Sequence, residues 1–246
     1  MQGLNGRTAL VTGGAKRLGA ALAGGVAAAG ARVLIHYHHS HDEAEELASL
    51  IIDEGGDASV IEADLADLVV ADALIGRAIA QVGPIDILIN SASIFQEVSF
   101  LEMPPDSIHE NMNINTIAPM LLARRFAEQH QKGSIINLLD TLVMDYDKLH
   151  VPYHLSKRML HTLTRIMAVE FAPYIRVNAI APGLVLPPPG KDIDYLEGLA
   201  HSNPLQAYGN AADVVNAALY LLGSSFVTGQ TMFVDGGRHL RGSMYE

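Results

Sequence analysis

The sequence predicts an α/β fold: a doubly wound, mostly parallel sheet of seven strands with helices on both faces. Seven short runs rich in aliphatic and β-branched residues recur along the chain: Thr8–Val11, Arg32–His36, Ala58–Glu62, Ile85–Asn90, Ser134–Leu139, Arg176–Ile180 and Thr231–Val234. Longer stretches of helical pattern lie between them, among them Asp42–Glu54, Asp67–Gln81, Asp106–Glu128, Pro152–Phe171 and Ala211–Leu222. Such alternation implies parallel strands joined by right-handed crossovers. A third observation agrees. The residues of unusual chemistry fall at the carboxyl ends of the predicted strands, where sheets of this type bind ligands. The length suits one domain, 1–246, and the least regular segment is Pro182–Gly209, which contains Pro187-Pro188-Pro189-Gly190.

The first strand leads into Thr12-Gly13-Gly14-Ala15-Lys16-Arg17-Leu18-Gly19. Glycines in such a turn let backbone N–H groups approach a pyrophosphate, which also gains from the N-terminus of the next helix. Taken alone, the motif also reads as a tight turn without a ligand. The apolar stretch Leu18–Ala31 is too short to cross a bilayer and is interrupted by glycines, so it reads as a buried helix.

The end of the second strand bears on which dinucleotide is bound. NAD enzymes usually present Asp or Glu there to the ribose 2′-hydroxyl. This chain has His36-Tyr37-His38-His39-Ser40, with Lys16 and Arg17 able to approach from the first turn. Hydroxyl, imidazole and guanidinium groups favour a 2′-phosphate that a carboxylate would repel, so NADPH is the expected cofactor. No metal is expected: His36, His38, His39 and His41 have no carboxylate or cysteine at ligand spacing. Asp64, after the third strand, is placed to hydrogen-bond an adenine amine or to cap the helix beginning near Asp67.

The most telling residues follow the fifth strand. Tyr153 and Lys157 lie four apart in a helical segment and share a face, with Asp140 thirteen positions before the tyrosine. The ammonium of Lys157 is expected to pull the phenol from its usual value near 10 toward neutrality, fitting it to donate a proton as a hydride arrives.

Composition narrows the function classes. Lys and Arg number 16 against 27 Asp and Glu, a net charge of −11, which disfavours a nucleic-acid surface. There is no cysteine, so disulfide and thiolate chemistry are excluded, and a reducing compartment fits. No membrane span is visible, and a cytoplasmic enzyme is expected.

With these residues assembled, the chain resembles the short-chain dehydrogenase/reductases, which have a Rossmann-type fold, over essentially its whole length. The resemblance rests on the Thr12–Gly19 turn, Asn90-Ser91-Ala92-Ser93, Asn115, the Tyr153/Lys157 pair, Pro182-Gly183 and Asp235-Gly236-Gly237. Within that family it is similar to the pteridine reductases, including the bacterial dihydromonapterin reductase type. Arg17 replaces the usual glycine, the His36–Ser40 run resembles their phosphate-binding segment, and Asp140 stands where most members have a catalytic serine. The ending Asp235-Gly236-Gly237-Arg238-His239-Leu240-Arg241 is also like that of the bacterial members.

The resemblance implies reduction of a dihydropterin (dihydromonapterin, dihydrobiopterin or dihydrofolate) to its tetrahydro form. Tyr153, Lys157 and Asp140 would handle the proton. Asn115 would complete the catalytic set by ordering a water or kinking its helix. Lys157 would also hold the nicotinamide ribose. Gly13, Lys16, Arg17, Leu18, Tyr37, His38, His39, Ser40, Asp64 and Leu65 are implied on the adenosine and phosphate side. Asn90, Ser91, Ala92, Leu138, Pro182, Gly183 and Leu184 would line the rest of the cofactor cleft, mostly through backbone. Substrate would meet Arg17, Ser93, Phe95, Asp140 and Tyr153, with Phe95 stacking on the pterin. Arg17 lacks the freedom of glycine, so its backbone is expected at ordinary negative φ. Val185 stands where some pteridine reductases carry a phosphate-binding serine. The segment of about 183–209 would close over substrate, and helices Asp106–Glu128 and Pro152–Phe171 would pack a homotetramer.

Two other functions fit less well. A ketone or 3-oxoacyl-thioester reductase could use Arg124 and Arg125 to dock an acidic carrier, but the pair reads better as solvated helix residues. A dinucleotide-sensing protein without turnover has no need of the Tyr153/Lys157 pair.

Overall fold

The computed structural model describes residues 3–145, 147–188 and 190–240. Its seven strands are β1 (Thr8–Thr12), β2 (Arg32–Tyr37), β3 (Asp57–Glu62), β4 (Ile87–Asn90), β5 (Gly133–Leu138), β6 (Ile175–Pro182) and β7 (Thr231–Val234). They form one sheet in the order β3-β2-β1-β4-β5-β6-β7, with every pairing parallel. After β3 the chain crosses to the far side of β1, so the order reverses between β1 and β4. A crevice opens at such a reversal, beyond the strand ends.

Alternation along the strands gives each face its own core. Val11, Val33, Ile35, Ile89 and Ile136 pack against α1 (Arg17–Ala28), α2 (His41–Asp53) and α8 (Ala211–Gly223) through Leu22, Val26, Ile51, Val214 and Leu221. Leu10, Leu34, Leu88, Ile135 and Val177 face the other way, against Leu74, Leu122, Phe126 and Met167 of α3 (Leu68–Val82), α5 (Ala118–Ala127) and α6 (Val151–Glu170). Near-continuous aliphatic strands are what a sheet buried on both faces requires.

Local chemistry sets the helix starts. The Asp67 carboxylate accepts from the N–H groups of Val69 and Val70 at the head of α3. A reciprocal Asn210/Asp213 capping box begins α8. Asp64 is therefore not the α3 cap; its carboxylate accepts from the Ala66 N–H at 2.8 Å.

Two sequence expectations change. The single helix expected over Asp106–Glu128 is α4 (Pro105–Met112), a π turn (Asn113–Ile117) and then α5. The cause is Asn115, whose side chain bonds the Ile94 backbone, Asn111 and Ser156 and draws the turn open toward the β4 loop. The segment expected to be irregular holds α7 (Ile193–Leu199), which buries Leu196, and a following 3₁₀ turn. Arg241 of the terminal motif and Pro189 of the proline run lie outside the described residues.

Candidate active site

The β5 strand ends at Leu138, and Asp140 continues in extended conformation to cap a 3₁₀ turn. One carboxylate oxygen, Oδ1, accepts from the Leu142 N–H at 2.8 Å. The other, Oδ2, accepts from the Tyr153 hydroxyl at 3.1 Å. Tyr153 and Lys157 lie one turn apart on α6, both buried.

The electrostatics differ from expectation. Tyr153 is not drawn toward neutrality; its phenol is pushed well above the ordinary value, by burial first and then by the charge and hydrogen bond of Asp140. Lys157 Nζ donates to the Leu138 carbonyl at 2.8 Å and lies 5.7 Å from the centroid of the Tyr153 ring. Burial lowers Lys157 to about 8, with Asp140 opposing that effect. Burial also raises Asp140, against the Leu142 and Tyr153 hydrogen bonds and the positive charges of Lys157 and Arg238. The phenol is thus a protonated donor facing a carboxyl group that holds a proton more readily than usual.

Phe95, 48 % exposed, meets Tyr153 edge-on at 4.6 Å and lies flat on His150 at 3.9 Å and 11°. Ser93 is exposed beside it, its hydroxyl directed to the Ile94 carbonyl at 3.4 Å. Asn115 does not join the Asp140–Tyr153 pair; its amide is committed to the Ile94 backbone, Asn111 and Ser156. That is the kinking alternative of the sequence reading.

The cleft beside these residues has a close-fitting floor. A Cβ on Gly13 would stand 2.8 Å from the Ala92 Cα, and one on Gly19 would stand 2.0 Å from the Gly13 carbonyl oxygen. Thr12 Oγ1 accepts from the N–H groups of Ser91 and Ala92 at 3.0 and 3.1 Å, tying the β1 turn to the β4 loop. Asn90 donates to Asn137 at 2.8 Å, while its buried Oδ1 finds no partner among the described residues. Leu138 offers its carbonyl to Lys157, and Pro182-Gly183 runs close to Asp235, whose Cβ is 2.7 Å from where a Gly183 Cβ would be. Leu184 lines a neighbouring cavity, and Val185 is buried as an apolar residue.

On the far side of the cleft, Arg17 corrects an expectation: it has φ +54°, in the left-handed region. Its guanidinium donates to the Pro187 carbonyl at 2.6 Å and so links the first turn to the segment after β6. Leu18 packs against the core on one face of the sheet, and Leu65 is buried in the core on the other. Tyr37 is buried at the end of β2, Ser40 precedes α2, and the His38 and His39 rings lie 3.5 Å apart, tilted by 31°. Carboxylates enter this region from elsewhere in the chain. Asp64 lies 3.7 Å from His38, and Glu43 forms a 2.6 Å ion pair with Lys16.

Sequence reasoning missed three features. Arg238 influences Asp140 electrostatically although it is nearly a hundred positions away, and only the terminal motif hinted at it. Asp235 accepts from the Thr141 hydroxyl at 2.6 Å and so braces the turn next to Asp140. The third is a grouping of Asp147, His150 and His154 with potential ligand atoms within 4.8 Å of one another. These atoms already bond internally: His154 Nε2 accepts from the Asp147 N–H at 3.1 Å, and His150 Nδ1 pairs with Asp147 at 2.8 Å. The histidines considered for a metal from sequence are not the ones that gather. A cavity of about 810 Å³ lined by Arg7, Thr8, Arg32 and Asp57 lies at the opposite, amino-terminal edge of the strands.

Residues 13–239 match a family model described as enoyl-(acyl carrier protein) reductase. The FolM alternative dihydrofolate reductase 1 from Brucella canis, solved with NADP, superposes with a TM-score of 0.92 at 34% identity, covering 98% of this chain and 97% of that one. The angucycline C-6 ketoreductase LanV, with bound NADP, superposes at 0.89 with 27% identity over 97% of each chain. L-xylulose reductase of Bos taurus is 34% identical over 245 residues, 95% of this chain and 97% of that protein.

Proposed function

The chain belongs to the short-chain dehydrogenase/reductase family, and within it we propose that the protein is an NADPH-dependent pteridine reductase, taking a dihydropterin to the tetrahydro form. The observation that carries this reading is the Asp140 carboxylate 3.1 Å from the Tyr153 hydroxyl. A carbonyl substrate calls for a hydroxyl beside the phenol, to share the developing alkoxide. A C=N bond calls for a proton at ring nitrogen and for an acceptor that recognises ring N–H groups. The solved neighbour named as an alternative dihydrofolate reductase supports the same direction.

The residues present fit a dinucleotide. The cleft floor at Gly13 and Ala92 has no room for a side chain, and the buried Asn90 Oδ1 is an unfilled acceptor at its edge. Lys16, His38, His39 and Ser40 would hold the 2′-phosphate, Arg17 and Leu18 the pyrophosphate, Tyr37, Asp64 and Leu65 the adenosine, and Lys157 the nicotinamide ribose. Bound NADPH supplies the hydride. The protein's part is to orient the pterin on Phe95 with Arg17 and Ser93 at its edges, and to hold a proton between Tyr153 and Asp140 at the ring nitrogen. Tyr153 donates or relays it, with water as an alternative source, and Lys157 supplies the positive charge beside them. Asn115 acts as a positioning residue, through Ile94 and Ser156.

Carbonyl reduction is the second reading, favoured by relatives named as an L-xylulose reductase and a ketoreductase. A partner surface belongs to the proposal as well. Leu155, Met159, Ile166 and Val169 form an exposed apolar stripe on α6, which suits packing into a homotetramer, testable by sedimentation. Among the described residues no helix is long and apolar enough to cross a membrane. The proposal is tested by following NADPH oxidation with a dihydropterin and with an acetoacetyl thioester. Preference for the pterin supports it; turnover of the thioester alone supports the second reading.

A further inference from the structure

We propose that His36 is a positioning residue that shapes the dinucleotide cleft, clamping the turn after β1 and the segment after β3 onto the end of β2. The role rests on NADP(H) as the cofactor. The imidazole accepts at Nδ1 from the Gly13 N–H at 3.0 Å. The ring proton therefore sits on Nε2, which donates to the Ala63 carbonyl at 3.0 Å. Main-chain bonds reinforce both links: the His36 carbonyl accepts from the Gly14 N–H at 2.9 Å, and the Tyr37 carbonyl accepts from the Ala63 N–H at 3.0 Å. One residue thereby fastens the three strand ends that face the adenosine half of the ligand.

The environment suits a permanent structural clamp rather than a phosphate ligand. His36 is 2 % exposed, so its ring is removed from the surface where His38 and His39 stand. Burial lowers its pKa to about 4, with His38 and Arg77 acting the same way and the Ala63 hydrogen bond opposing. The ring stays neutral near pH 7, and one tautomer satisfies both partners.

The clamp changes how the cofactor is recognised. The N–H groups of Gly13 and Gly14 are both engaged by His36 and are not pyrophosphate donors. Phosphate contacts fall instead to the later part of the turn and to the Lys16 and Arg17 side chains. Gly13, held from one side by the imidazole, lies against Ala92 on the other, so the bond to His36 sets the floor between β1 and β4. An apolar ring at position 36 would strand a part-buried donor at Gly13 and a buried acceptor at Ala63.

Fluorescence titration with NADPH tests the proposal on wild type and on His36→Phe, His36→Asn and His36→Gln. Phe keeps ring volume without either bond. The Asn amide oxygen replaces Nδ1, and the Gln amide nitrogen replaces Nε2. His36→Phe is expected to raise the Kd for NADPH about tenfold or more, with Asn and Gln each regaining part of the loss. In turnover the KM for NADPH should rise while kcat at saturation stays within about twofold, because Asp140, Tyr153 and Lys157 stand beyond β5. If His36→Phe does not fold, the Asn and Gln variants carry the test. Kd values within about twofold of wild type in every folded variant, whatever their Tm, overturn the role and leave His36 a core residue. Wild type that binds neither NADPH nor NADH overturns the cofactor reading and this role together.

Discussion

Asp140 and Tyr153 are joined by one hydrogen bond, Tyr153 hydroxyl to Asp140 Oδ2 at 3.1 Å, and the second carboxylate oxygen is held by the Leu142 N–H at 2.8 Å. The carboxylate can therefore neither swing away from the phenol nor turn its other oxygen toward it without breaking its own cap. A serine in its place would offer a hydroxyl that both donates and accepts. The aspartate, when ionised, only accepts.

Removing that acceptor should separate chemistry from cofactor binding. Asp140→Ala is expected to lower kcat by on the order of a hundredfold, the usual scale for a positioned proton-handling group. The Kd for NADPH, read by fluorescence, should change by less than about twofold, since the proposal assigns Asp140 to the pterin and not to the dinucleotide. Unchanged turnover removes Asp140 from the mechanism.

The pH profile follows from Lys157. Burial holds its pKa at about 8, so the ammonium is present below that pH and is lost as pH rises through it. The quantity kcat/KM, which reports groups of the free enzyme, should fall about tenfold per pH unit above about 8. Lys157→Arg, always charged, should lose the alkaline limb even if its overall rate is lower. A limb unchanged in that variant assigns it to another group.

Arg17 offers a test in which stability and binding part company. Its φ of +54° is unfavourable for a residue with a Cβ by about 1 kcal/mol, so Arg17→Gly should hold or raise the Tm. The same substitution removes the guanidinium bonded to Pro187, and the KM for NADPH should rise on the order of tenfold. Scanning calorimetry beside steady-state kinetics checks both halves.

How much of this was legible beforehand depended on whether a feature is local. The strands, the glycine turn and the Tyr153/Lys157 pair follow from periodicity and short spacing, and they stand where the sequence placed them. The π turn was hidden because its cause, Asn115 reaching the Ile94 backbone, joins two segments with no pattern in common. The Tyr153 pKa went the other way from expectation because spacing shows Lys157 on the same face but shows neither the burial of the phenol nor its contact with the Asp140 carboxylate. His36 looked like its neighbours in a histidine run; its ring is buried because it lies within β2, whereas His38 and His39 follow the end of that strand and are exposed. Glycine's absence at position 17 suggested ordinary backbone, yet the turn imposes its left-handed geometry on arginine.

Phe95 should govern substrate affinity alone. Phe95→Leu is expected to raise the KM for dihydropterin by about threefold to tenfold, the scale of a lost aromatic contact, and to leave NADPH binding intact. His150→Ala, which removes the ring stacked on the other side of Phe95 at 3.9 Å, should show the same pattern more weakly. Equal KM values in both variants and wild type exclude stacking on Phe95.

Lys16 is held by Glu43 in the unliganded chain at 2.6 Å, on an exposed surface where such a pair contributes little. Glu43→Gln should free the ammonium for the 2′-phosphate and tighten NADPH about twofold to fivefold without affecting NADH. The gain should vanish at high salt.

The most direct test is the ratio of kcat/KM for a dihydropterin to that for a simple ketone, measured with NADPH for wild type and Asp140→Ser. Wild type should favour the pterin by about a hundredfold or more, and the serine variant should lose most of that preference chiefly through a slower pterin reaction. A wild-type enzyme that prefers the ketone, or a serine variant with an unaltered ratio, contradicts a carboxylate-tuned pterin site.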